Sequence, residues 1–109
     1  MDKELLFKSR LGEADVELPG LGVVRVRGLT REEMLHAPKA EDEPLLMERY
    51  MLATALVDPV LTQDEVARWQ SVSPADEMTP LVHKINELSG IGKPAEKAAY
   101  EAFRSQSGS

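Results

Sequence analysis

Few residues in this sequence have the type and spacing that catalysis requires. The chain has no cysteine, which excludes thiolate nucleophiles, thiolate metal sites and disulfide bonds. His36 and His83 stand alone, without a histidine or an acid at the spacing of a metal site. The glycine pairs at 20/22 and 90/92 lack the strand-to-helix context of a phosphate-binding loop. We therefore expect no enzymatic activity, no bound metal and no cofactor.

The charged residues also argue against one large class of partners. Nineteen acidic and thirteen basic residues give a net charge of -6, and the excess is similar in both halves of the chain, so we expect no nucleic-acid binding. The carboxylates between Glu32 and Glu48 are typical of a solvated face. Arg25 and Arg27 could contact an anion or RNA, but we favour a solvated strand face on which they pair with Glu17.

The central stretch, residues 45–57, is apolar on nearly every side of a helix and predicts the core helix of the fold. At a rise of about 1.5 Å per residue it spans only about 20 Å, short of the ~30 Å core of a bilayer. The charges around Leu5 to Phe7 are unlike a secretory signal or an anchor. We expect no membrane association and a cytoplasmic protein.

The flanking segments carry clear signals for a hairpin and for helix starts. Apolar and charged residues alternate on both sides of the turn at residues 19–22, which predicts a β-hairpin. Thr30 with Glu33, and Thr62 with Glu65, have the spacing of capping boxes. The predicted fold is mainly α, a four- to five-helix bundle with one N-terminal hairpin, in one domain over residues 1–104. We expect the hairpin at about 14–27, helices at about 31–37, 44–57, 63–71, 80–89 and 94–104, and a disordered tail at 105–109.

Two apolar stripes near the C-terminus are the candidate binding surface. An apolar client helix is typically met by an apolar groove, and these stripes could line one, although in so small a domain they are more often core. Because three helices carry more apolar surface than a small bundle covers, we also expect a weak homo-oligomer with Tyr100 and Phe103 at the contact. The candidate protein-binding residues are Met78, Leu81, Val82, Ile85, Leu88, Tyr100 and Phe103.

One phrase resembles a known family. The run V-V-R-V-R-G-L-T-R-E-E, from Val23 to Glu33, resembles the tail assembly chaperones of long-tailed bacteriophages and prophages. The order of the other phrases is similar too: L-V-D-P after the central helix, T-x-x-E-V in the next helix, and I-N-E-L-S-G-I near residues 85–91. The similarity covers roughly residues 13–104.

The resemblance implies a partner and a place of action. It implies a chaperone made in the host bacterial cytoplasm that binds the tape measure protein, keeps this long helical chain soluble and helps to recruit tail tube subunits. It implies absence from the mature virion, and no catalytic residue transfers from the family. The alternative is a small acidic regulatory protein, antitoxin-like or DNA-mimicking, whose active feature would be the acidic segment Glu41 to Glu43.

Overall fold

The computed structural model describes residues 1–90. A short 3-10 helix at Lys3–Phe7 precedes three strands and four α-helices. The helix predicted at 94–104 and the tail predicted at 105–109 lie outside the described residues. In chain order the elements are β1 (Glu13–Leu18), β2 (Gly22–Arg27), α1 (Arg31–His36), α2 (Pro44–Ala55), β3 (Leu56–Asp58), α3 (Gln63–Val72) and α4 (Thr79–Leu88).

The hairpin β1–β2 is antiparallel, with Val16 opposite Val24. Its turn closes where the N–H of Leu21 donates to the carbonyl of Leu18 at 2.9 Å, and Gly20 takes a positive φ of 81° that an L side chain rarely adopts. Along β1, exposed acids alternate with Ala14, Val16 and Leu18. The hairpin therefore presents one apolar face to the helices and one charged face to solvent.

The prediction of a mainly α bundle was wrong. Residues 56–58 leave the central helix and pair antiparallel with β2, so the sheet has three strands in the order β1-β2-β3, and the fold is mixed α and β. The predicted helix 44–57 ends at Ala55. The third strand supplies backbone hydrogen-bond partners to the edge of β2, which a lone hairpin would leave open.

The helices begin as the caps predict. The hydroxyls of Thr30 and Thr62 each accept a hydrogen bond from the backbone N–H three residues on, and the backbone N–H of each threonine donates to the carboxylate of Glu33 or Glu65, so both capping boxes are formed. The sheet and the helices enclose one apolar cluster. Its buried members are Leu18, Val26, Leu29, Met51, Leu52, Ala55, Leu56, Val66, Met78, Leu81 and Ile85.

The central helix is less buried than its composition predicts. Its second half supplies Met51, Leu52 and Ala55 to the core, but Leu45 is 57% exposed and Leu46 is 39% exposed. Composition reports how apolar a segment is, whereas burial depends on which neighbours cover it. The first two turns of α2 are therefore partly exposed.

Candidate functional site

The stripe predicted on α4 points mainly into the protein. Met78 is 4% exposed, and Leu81 and Ile85 are fully buried in the core. These three side chains are therefore not a free surface. Val82 and Leu88 are only partly buried. The other two candidates, Tyr100 and Phe103, lie outside the described residues.

A groove between α1, α2 and α4 is the best candidate for a binding site. It encloses about 380 Å³, within the usual range for ligand sites in proteins. Each of the three helices contributes an apolar side chain, and Val82 is the one predicted site residue among them. The lining residues are Met34, Ala40, Pro44, Met47, Glu48, Met51, Val82 and Asn86.

The groove is rich in methionine. Three of the five methionines in the chain, Met34, Met47 and Met51, line it. Methionine is unbranched and polarisable, so it adapts to apolar partners of different shapes. Met51 is also a core residue, whereas Met34 and Met47 are partly exposed. Met51 therefore joins the groove to the core, and Met34 and Met47 are the methionines that can adapt to a partner.

Two polar side chains interrupt this apolar lining. Glu48 lies on α2 and Asn86 lies on α4. The Nε2 amide of Gln70 donates to Glu48 Oε1 at 3.1 Å and to the carbonyl of Leu45 at 3.2 Å. These bonds fix Glu48 against α3 while leaving its carboxylate further lone pairs for a partner.

A network around Glu33 positions α1 as one wall of the groove. Arg27 donates from Nη1 and Nη2 to the two Glu33 carboxylate oxygens at 2.9 and 2.8 Å. The hydroxyl of Tyr50, on α2, donates to the Glu33 carbonyl at 2.8 Å. Hydrogen bonds from Arg27, with a contribution from the Thr30 N–H, lower the pKa of Glu33 to about 2. The network thus ties β2, α1 and α2 together.

The end of α4 is fixed against the turn between β2 and α1. A Cβ at Gly28 would lie 2.5 Å from the carbonyl oxygen of Leu88, so only glycine allows this approach. The Leu29 N–H donates to Ser89 Oγ at 2.8 Å, and Ser89 Oγ donates to the Ile85 carbonyl at 2.6 Å. Two phrases of the family resemblance, R-G-L-T and N-E-L-S-G, therefore meet in space.

Two other hollows lie elsewhere on the described residues. One, of about 530 Å³, lies between residues 6–11 and the end of α4. It borders Gly90, the last described residue. The other, of about 480 Å³, is formed by α3 and the segment just before it. Neither is walled by three α-helices, which makes the methionine groove the more defined site.

The residues that the sequence suggested for metal or anion binding either lie on separate helices or form ion pairs. His36 and His83 are exposed on α1 and α4. Arg25 binds Glu13 at 2.8 Å and Asp15 at 3.0 Å, rather than the predicted Glu17. Within residues 1–90, no three histidine or acidic side chains are grouped as a metal site requires.

The same part of the chain has no helix with the length and apolar character that crossing a bilayer demands. Comparison of the chain with protein-family models, curated proteins and solved structures finds no match.

Proposed function

We propose that this protein is a non-enzymatic tail assembly chaperone of a long-tailed phage or prophage. In this proposal it binds the tape measure protein in the host bacterial cytoplasm, keeps it soluble and helps to recruit tail tube subunits. It is absent from the mature virion. The observation that carries the proposal is the methionine-lined groove, taken together with the resemblance of the sequence to this family.

The dimensions of the groove suit a helical client. The lining residues of α2 run from Pro44 to Met51, which at about 1.5 Å per residue gives a length of about 10 Å, or two helical turns. A helix lying in such a groove anchors itself through apolar residues at positions i, i+3 or i+4, and i+7. A tape measure protein offers many such segments, and adaptable methionines suit clients that differ in sequence.

The contact between the two family phrases also supports the proposal. Gly28 and Leu29 meet Leu88 and Ser89 through close backbone packing and a hydrogen bond. Glycine is required at position 28 because a side chain there would collide with the backbone of α4, and the hydroxyl of Ser89 accepts the hydrogen bond from the Leu29 N–H. These contacts between the two phrases hold the end of α4 in place, and α4 carries Val82 at the groove.

Co-production with the tape measure protein tests the proposal. We expect wild-type chain to keep the tape measure protein soluble and to co-purify with it. Met47→Gln changes an apolar wall residue to a polar one of similar size, and we expect it to weaken the complex about tenfold, since losing part of one buried apolar side chain costs about 1 to 2 kcal/mol.

Leu35→Gln is the matched control. Leu35 lies on α1, is 71% exposed and is not part of the groove lining, so this variant should bind as the wild type does. Equal weakening by both variants would contradict binding in the groove. A gene position away from a tail tube gene and a long tape measure gene would remove most support for the chaperone assignment.

The acidic regulatory alternative has one observation in its favour. Glu13, Asp15 and Glu17 alternate along the exposed face of β1, as charges on a mimic of nucleic acid would. However, Arg25 forms ion pairs with Glu13 and Asp15, which leaves less negative potential on this face. Charge mimicry predicts binding that falls steeply between ~0.01 and ~0.1 M salt, whereas apolar contacts in the groove persist.

A further inference from the structure

We infer that the methionine groove selects amphipathic helices whose apolar stripe is flanked by lysine or arginine. This inference rests on the function proposed above and states the chemistry of the client. It combines the apolar lining of the groove with the acidic residues at its edge. The occupant is therefore a basic amphipathic helix of a partner protein.

Acidic residues lie at one end and along one wall of the groove. Ala40 and Pro44 both line it, and they bracket the loop that carries Asp42 and Glu43, which are exposed. The N–H groups of these two acids donate to the carbonyl of residue 39 at 3.2 and 2.8 Å, which fixes the loop at the N-terminus of α2. Glu48 stands on the wall itself. A helix in the groove thus passes close to carboxylates.

Much of this negative charge is not neutralised within the described residues. Glu48 is held by the neutral amide of Gln70, and residues 1–90 contain no ion pair to Asp42, Glu43 or Glu48. Two cations lie near these acids: Lys39 belongs to the same loop, and Arg49 Nε donates to Oε1 of the same Gln70 at 3.0 Å. Two cations against the three carboxylates of Asp42, Glu43 and Glu48 leave the edge negative. The edge of the groove therefore favours a partner that carries positive charge, while the lining favours apolar side chains.

The positive end of the α2 dipole offsets part of this charge. Glu43 is the N-cap residue of α2, where a carboxylate is stabilised by the helix dipole. Asp42 lies in the loop before this cap, and Glu48 lies in the second turn of α2. The helix dipole therefore stabilises these two carboxylates less than it stabilises Glu43. They are the residues at which a partner cation gains most.

Lysine and arginine suit both parts of this surface. Their aliphatic stems can cover the methionine side chains while the charged ends reach the carboxylates. A glutamate in the same position would bring like charges together at the edge of the groove. The geometry therefore favours basic over acidic flanks on an otherwise identical helix.

Three designed peptides of about 16 residues test the inference by fluorescence anisotropy with the full-length protein. They share one leucine stripe and differ only in their flanking residues, which are Lys, Gln or Glu. At ~0.01 M salt we expect the Lys peptide to bind at least about tenfold more tightly than the Glu peptide, and the difference to shrink at ~0.1 M. Glu48→Gln and Asp42→Asn should each reduce this preference about two- to fivefold.

Glu17→Gln is the control, because it makes the same change in net charge at an exposed site on β1 that does not line the groove. It should leave the preference unchanged, and an equal loss in this variant would overturn the inference. If all three peptides bind equally and Met47→Gln weakens them all, the charge inference is wrong while the proposed groove binding stands. If none binds, both fail.

The same assay distinguishes a partner helix from two other occupants of the groove. A peptide of residues 91–109 of this chain that displaces the Lys peptide would assign the groove to the chain's own C-terminal segment. Self-association that Met47→Gln abolishes in the absence of peptide would assign it to a second copy. Either result would overturn the inference, whereas failure of both to compete with the Lys peptide supports it.

Discussion

Replacing Glu33 by glutamine should remove the charge that joins β2 to α1 while keeping the size of the side chain. Glu33 receives two hydrogen bonds from Arg27 and one from the Thr30 N–H. A glutamine amide can still accept one of these bonds through its oxygen, but it cannot form the bidentate ion pair. The variant therefore tests the ion pair separately from the packing of α1.

The magnitude follows from the pKa of Glu33. It falls from 4.5 to about 2 on folding, and at about 1.4 kcal/mol per unit this sets a ceiling of about 3 kcal/mol. The side chains of Arg27 and Glu33 remain 28% and 25% exposed, so solvent screening lowers the expected contribution to about 1 to 2 kcal/mol. We expect Glu33→Gln to be less stable than the wild type by that amount at pH 7.

The sign of the pH dependence is set by the direction of the shift. Because the folded-state pKa is lowered, the contribution of Glu33 is fully present above the unfolded-state pKa near 4.5 and is lost as the pH falls towards about 2. Urea denaturation of both proteins at pH 7, 4 and 2.5 measures this loss. The stability difference between wild type and variant should shrink across the series.

Glu32→Gln is the control for a charge removed from the same helix. Glu32 is exposed and forms no ion pair within residues 1–90, so its replacement should change stability by less than about 0.5 kcal/mol. A difference between wild type and Glu33→Gln that stays constant from pH 7 to pH 2.5 would refute the electrostatic account. So would equal effects of the two variants.

Three further substitutions test the packing of the fold by the same denaturation assay. Gly28→Ala should cost about 1 to 3 kcal/mol of stability because the new Cβ meets the backbone of α4. In Gly12→Ala the new Cβ meets only a flexible side chain, so this variant should be within about 0.5 kcal/mol of the wild type. Equal effects of the two variants would contradict this packing. Leu56→Ala should cost about 2 to 5 kcal/mol because Leu56 is 4% exposed, and a loss below about 0.5 kcal/mol would place β3 at the periphery. Trp69→Phe should cost about 1 kcal/mol through loss of the 2.8 Å hydrogen bond from its indole to Glu77, and a variant as stable as the wild type would show that this bond contributes nothing.

Local signals in the sequence predicted the parts of the fold that depend on neighbouring residues. The capping boxes at Thr30 and Thr62 are formed because each needs only four consecutive residues. The hairpin is encoded by alternation on both sides of a turn. The third strand carries no such signal, because three residues at the end of an apolar run have no measurable period and their partner strand ends at Arg27, about thirty positions earlier.

The candidate site was harder to predict, since a groove is a gap between helices rather than a property of one helix. The periodicity of α4 predicted an apolar stripe, and this stripe contains Val82 together with Leu81 and Ile85, which are core. Sequence alone does not say which member of a stripe reaches a surface. The available signal was the presence of Met34, Met47 and Met51 within α1 and α2, since methionine is enriched at adaptable binding surfaces.

Methyl NMR of the methionines tests binding in the groove most directly. With methyl-labelled methionine, the five residues give separate reporters: Met34, Met47 and Met51 in the groove, Met78 in the core and Met1, 95% exposed, at the N-terminus. On addition of an amphipathic segment of the tape measure protein, we predict that the three groove signals shift together and saturate while those of Met1 and Met78 stay in place. Saturable binding that leaves all three groove signals unchanged would contradict the account.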